Sequence, residues 1–66
     1  MRTTEILKLL RDAPGSYIER RFGGVYVIND AQGRNLSPFN PDQLQIEDML
    51  REYRIKEDGK NRYILD

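Results

Sequence analysis

Apolar residues recur at helical spacing in two stretches of this 66-residue chain, and strand-like stretches lie between and after them. Ile6, Leu9, Leu10 and Ala13 fall at i, i+3, i+4 and i+7 on one helix face, and Leu7 widens the stripe. Thr3 or Thr4 can cap this helix, Glu5 stands in its first turn, and Pro14-Gly15 ends it. Ile46, Met49, Leu50 and Tyr53 make a second stripe and predict a helix over 41–53. Asn40 reads as its cap, Pro41 as its first residue, Asp42 as the acid at its positive end, and Gln43 as the closing member of a capping box. Phe39 and Leu44 then occupy the positions of a hydrophobic staple.

Between the helices, residues 16–22 and 25–30 are rich in β-branched and aromatic side chains and flank Gly23-Gly24. Read as a two-residue hairpin turn, the glycines pair Phe22 with Val25, Arg20 with Val27 and Ile18 with Asn29. Ile18, Phe22, Val25 and Val27 then form the core face, and Tyr17, Glu19, Arg21, Tyr26 and Ile28 the outer one. A second turn ending at Gly33 leads to a short strand over 34–37, stopped by Pro38, which completes a three-stranded meander. Residues 54–57 and 62–65 predict a final hairpin, preferably with a four-residue loop over 58–61 that sets Ile55 against Ile64 and Glu57 against Arg62. A two-residue Asp58-Gly59 turn, setting Ile55 against Arg62, is the competing register. The expected fold is a single α+β domain over 1–66, order α-β-β-β-α-β-β, with two helices packed on a small antiparallel sheet.

Composition narrows the chemistry. A chain of this length buries only roughly 60% of its unfolded surface, so its core is marginal. Cys and His are both absent, which removes disulfides, thiolate metal sites and the usual proton shuttles at neutral pH. Ser16 and Ser37 sit beside a turn and before a proline, not in a nucleophile elbow. Glu47-Asp48 and Glu57-Asp58 are adjacent pairs on a helix surface and a hairpin tip, where neighbours diverge. No phosphate loop or dinucleotide fingerprint occurs. The expectation is therefore a non-enzymatic protein with no catalytic residue, cofactor or metal. The longest apolar run, Val25-Tyr26-Val27-Ile28, is too short for a membrane span, and with no export signal the expected location is the cytoplasm.

Eleven cations balance eleven acids, so bulk charge gives no pull toward nucleic acid, but eight of the cations are Arg. Arg and Tyr are the residues that anchor protein interfaces. On the predicted outer face, Tyr17, Arg21, Tyr26 and Ile28, with Arg34 nearby, make a candidate surface for a protein partner or a second copy of the chain. A second basic set, Arg51, Arg54, Lys56, Lys60 and Arg62 with Tyr63, gathers at the end of the second helix and the last hairpin; Tyr63, and Tyr26 on the first hairpin, are rings that can stack on bases. A helix followed by a two-stranded wing broadly resembles the second half of a winged-helix DNA-binding domain, over residues 40–65. That resemblance implies DNA binding through the helix and wing, although a β-meander stands here where that family has a helix-turn-helix. In scale and in its neutral, Arg/Tyr-rich composition the chain is similar to small orphan proteins of phages and mobile elements. Some of those inhibit host defence complexes, including CRISPR effectors. The preferred reading is a stoichiometric protein-binding module of that kind, and a small DNA-binding regulator is the alternative.

Overall fold

A computed structural model describes residues 1–66. Helix α1 (Thr3–Asp12) precedes a hairpin of β1 (Tyr17–Arg21) and β2 (Val25–Asn29); helix α2 (Gln43–Arg51) precedes a second hairpin of β3 (Ile55–Glu57) and β4 (Arg62–Leu65). The strands form one antiparallel sheet in the order β2-β1-β4-β3, so the two hairpins join through β1 and β4. The class is α+β, and the order is α-β-β-α-β-β. Residues 34–37, expected as a third strand, contribute only a bridge between Asn35 and Asn29 and a Leu36 N–H donated to the Ile28 carbonyl at 2.8 Å. Asn35 Oδ1 accepts from the Ser37 N–H, and Ser37 Oγ from the Phe39 N–H, so local side chains curl the backbone away from the ladder before Pro38, which has no donor.

Register decides which residues see the helices. The β1–β2 turn has three residues, Phe22, Gly23 and Gly24, closed by the Gly24 N–H on the Arg21 carbonyl at 3.2 Å. Both glycines have positive φ, which removes Phe22 from the ladder and opposes Arg21 to Val25. Ile18 therefore faces Ile28, and Arg20 faces Tyr26. This one-residue slip moves Tyr26 and Ile28 from the expected outer face into the core and turns Phe22 and Val25 out to solvent. The second hairpin also differs from both expected registers: Ile55 opposes Leu65, and Glu57 opposes Tyr63 instead of Arg62. The Ile18–Tyr63 pair then aligns Ile18, Tyr26, Ile28, Ile55 and Tyr63 on one face. Ile6, Leu7 and Leu10 of α1 and Ile46 and Met49 of α2 join them in a single core cluster.

The helices also start differently from expectation. Arg2, not Thr3 or Thr4, precedes α1, and its N–H donates to the Glu5 carboxylate at 3.2 Å. Helix α2 begins two residues late: Asp42 is the cap, accepting from the Gln45 N–H at 2.8 Å while Gln45 Oε1 takes the Asp42 N–H at 3.0 Å. Phe39 and Leu44 consequently miss the staple positions and remain 65% and 71% exposed. The Gln45 amide also donates to the Met1 carbonyl, fastening the start of α2 to the start of the chain. Helix α2 ends in a Schellman arrangement: the Tyr53 N–H reaches the Leu50 carbonyl and the Arg54 N–H the Met49 carbonyl. Tyr53 occupies the left-handed position, at φ 59°, where glycine is preferred, and its side chain points to solvent instead of joining the inner stripe.

Candidate functional site

Both helices cover the same face of the sheet, which leaves the opposite face to side chains and to the loop after β2. Tyr17, Glu19 and Arg21 of β1, Val27 and Asn29 of β2, and Arg62 of β4 share that helix-free face. Arg62 lies opposite Glu19 yet stacks its guanidinium over the Tyr17 ring, 3.9 Å from the centroid. Glu19 Oε1 accepts from Asn29 Nδ2 at 3.0 Å and from Arg21 Nε at 3.2 Å. Asn29 is almost wholly buried, and its Oδ1 has no partner. The tip of the loop after β2 closes over Tyr17: a Cβ at Gly33 would lie 3.7 Å from the Tyr17 hydroxyl. That loop also abuts the turn after α1, where a Cβ at Gly15 (φ 83°) would come within 2.8 Å of the Ala31 side chain. Tyr17 and Val27 are thereby buried without a helix above them.

One end of the sheet is different in character. Asn61 accepts from the Arg20 N–H at 2.8 Å, so the β3–β4 loop stands beside the β1–β2 tip. Phe22 at that tip is fully exposed, and Val25 is half exposed. Arg21 is neutralised by Glu19, whereas Arg20, Lys56, Lys60 and Arg62 form no ion pair, and the acids of the second hairpin are Glu57 and Asp58. The result is a locally basic edge around an aromatic knob in a protein of zero net charge.

The expected protein-partner residues are thus divided. Tyr17 and Arg21 share the helix-free face, but Tyr26 and Ile28 lie on the other side, sealed under the helices. Arg34 sits on the loop after β2, where Asp30 holds it: Asp30 Oδ1 accepts from the Gln32 and Arg34 N–H groups, and Oδ2 takes Arg34 Nε. The Arg34 backbone N–H, with help from the Gln32 N–H and the Arg34 charge and against some desolvation, keeps the Asp30 carboxyl below its ordinary value of 3.8. The expected nucleic-acid residues also scatter. Arg51 pairs with Asp48 at 2.9 Å and Arg54 with Glu52 at 3.3 Å. Lys56 and Arg62 lie on the helix-free face and Lys60 at the second hairpin tip. Tyr63 is in the core, its ring 6.2 Å from that of Tyr26, so neither ring is free to stack on a base. Burial, with the Tyr26 and Glu57 charges behind it, raises the Tyr63 hydroxyl above its ordinary value of 10.0.

Sequence reasoning missed Phe22 and the stacking of Arg62 on Tyr17. A three-residue reading of the Phe22-Gly23-Gly24 turn would have exposed the first. The second depends on β4 pairing with β1 and has no local signal. On the helix side, a groove of about 480 Å³ opens between α1 and residues 36–39, with Met1, Leu9, Leu36 and Phe39 as its apolar lining. No three carboxylates converge on a shared point. No helix is long and apolar enough to cross a membrane. Comparison with protein-family models, curated proteins and solved structures finds no match.

Proposed function

We propose that this chain is a non-catalytic binding module that acts stoichiometrically on a protein partner, using the helix-free sheet face and the hairpin end beside it. The observation that carries this reading is Phe22. A fully exposed aromatic ring on a tight turn has no role in the protein's own core; it follows Arg20 and Arg21 in the chain, and Arg21 and Arg62 on the adjoining sheet face are held by Glu19 and Tyr17. Interfaces draw their energy from such aromatic and Arg anchors, and a planar Arg held over a ring loses little freedom on binding. Inhibition of a host complex, as by small phage proteins of like size and composition, is the specific form the reading takes by analogy alone, since occluding a surface needs affinity and no chemistry. A protein partner is favoured over nucleic acid because the two tyrosines that could stack on bases are core residues and two of the six residues in the basic set are already ion-paired.

The test is capture from the native host's lysate with nuclease-treated and untreated arms, using wild type, Arg62→Ala and Arg21→Ala. A protein retained in fixed stoichiometry after nuclease, and lost with Arg62→Ala while that variant keeps wild-type stability, is the expected result. Loss of the captured species after nuclease would favour the DNA-binding alternative. Equal capture by both variants would move the site off this face.

A further inference from the structure

We propose that Asp58-Gly59, at the tip of the second hairpin, is a site of spontaneous backbone isomerisation, in which the Asp58 side-chain carboxyl takes over the link to Gly59. The reaction needs no partner, so it stands apart from the binding reading. It needs a carboxyl free to turn, an amide N–H free to attack, and room around the nitrogen. All three meet at this tip. The Asp58 carboxylate forms no ion pair and accepts no hydrogen bond. The Gly59 N–H donates to no protein group, and both residues are exposed. Glycine has no Cβ to crowd its nitrogen, and a Cβ built there would meet nothing within 4 Å.

No other aspartate or asparagine precedes a glycine. Asp30 is held by the Gln32 and Arg34 N–H groups, Asp42 by the Gln45 N–H and Asp48 by Arg51. Asp12 is unpaired, but the N–H after it, on Ala13, is engaged by the Leu9 carbonyl at 3.2 Å.

The step is a dehydration followed by a hydrolysis. The Gly59 nitrogen attacks Asp58 Cγ, an N–Cγ bond forms, and the amide proton and the carboxyl hydroxyl leave as water. The product is a cyclic imide. Water then adds to one of its two carbonyls. Breaking the N–Cγ bond restores aspartate; breaking the bond from nitrogen to the Asp58 main-chain carbonyl leaves isoaspartate, of unchanged mass. The isomer carries an extra methylene in its main chain. The tip is closed by the Asp58 N–H on the Arg62 carbonyl at 2.9 Å, and it is tied to β1 by the Arg20 N–H on the Asn61 carbonyl at 2.8 Å. Lengthening the loop between Asp58 and Arg62 loosens both bonds.

The test holds the folded full chain in mildly acidic buffer, which favours neutral carboxyls, and samples it over time. Isoaspartyl carboxyl methyltransferase with a labelled methyl donor counts the isomer, and peptide mapping places it. Wild type is expected to accumulate label on the segment 55–62 with no change of intact mass. Asp58→Glu keeps the charge but would need a larger ring, and is expected to stay unlabelled. Asp58→Asn closes the same ring by releasing ammonia, and is expected to label faster at neutral pH. In the separated isomer the Arg20 amide should exchange several-fold faster with solvent, while the Ile18 amide, paired with Tyr63, keeps its wild-type rate. A folded wild type that gains no label, equal label in Asp58→Glu, or label placed at another aspartate overturns the site. An unchanged Arg20 exchange rate in the isomer overturns the loosening.

Discussion

On the helix-covered face of the sheet, Ile18, Ile28 and Ile55 are sealed by apolar residues of α1 and α2; on the opposite face, Tyr17, Val27 and Asn29 are nearly as well buried with no helix above them. The first face is closed by aliphatic packing, which is dense and has few alternatives. The second is closed partly by a loop tip and by long charged side chains lying over the sheet, Arg62 on Tyr17 and Arg21 on Glu19. Rigid burial and adaptable burial are thus separated by the thickness of one sheet. The helix-covered side keeps the chain folded, and the helix-free side carries the polar cover that the proposed partner would displace.

The largest effects should break the rigid side. Ile28→Ala should cost about 2–5 kcal/mol, enough to leave the chain largely unfolded if its total stability is the roughly 3–5 kcal/mol expected at this size. Its neighbour Val27→Ala, on the helix-free side, should cost about 1–2 kcal/mol. Urea melts of the pair measure the contrast, and equal losses would erase the distinction between the faces. Asn29→Asp should cost about 2–3 kcal/mol, because it removes the amide donor and buries a second carboxylate against Glu19. A loss well below that would mean the Glu19 network is open to water.

Smaller effects sharpen the picture. Tyr53→Gly should stabilise by about 0.5–1 kcal/mol, since the left-handed φ strains a tyrosine and suits glycine. A loss of stability on that change would show that the exposed Tyr53 ring contributes a contact. Tyr63 should make stability fall at alkaline pH. Its folded value lies above 10.0, so the unfolded chain deprotonates first, and the stability present below pH 10 is lost as the pH rises past it. Thermal melts of wild type and Tyr63→Phe above pH 10 should show a shallower decline for the variant.

Periodicity made the two helices legible: the Ile6–Leu10 and Ile46–Met49 spacings lie in the core, and Pro14-Gly15 follows the end of α1. It did not fix their caps, because Thr3, Thr4 and Asn40 are all good caps in isolation, whereas at α2 the reciprocal capping box forms between Asp42 and Gln45. Hairpins were legible as hairpins, but not their registers. Phe22 is a credible core residue on composition alone, and only the demand that Tyr26 and Ile28 meet the helices rejects the two-residue turn. The candidate surface inherited that error. Tyr17 and Arg21 survived the slip because β1 kept its assigned faces, whereas Tyr26 and Ile28 on β2 changed sides.

Every assignment of a residue to one face or the other follows from the β1–β2 register, and cross-strand Hα–Hα nuclear Overhauser effects read it directly. In an antiparallel ladder these contacts are closest at the pairs that do not exchange hydrogen bonds. Strong cross-peaks between Ile18 and Ile28 and between Arg20 and Tyr26 are the predicted result. A cross-peak joining Arg21 to Tyr26, with none between Ile18 and Ile28, would put Tyr26 and Ile28 back on the open face and contradict the account.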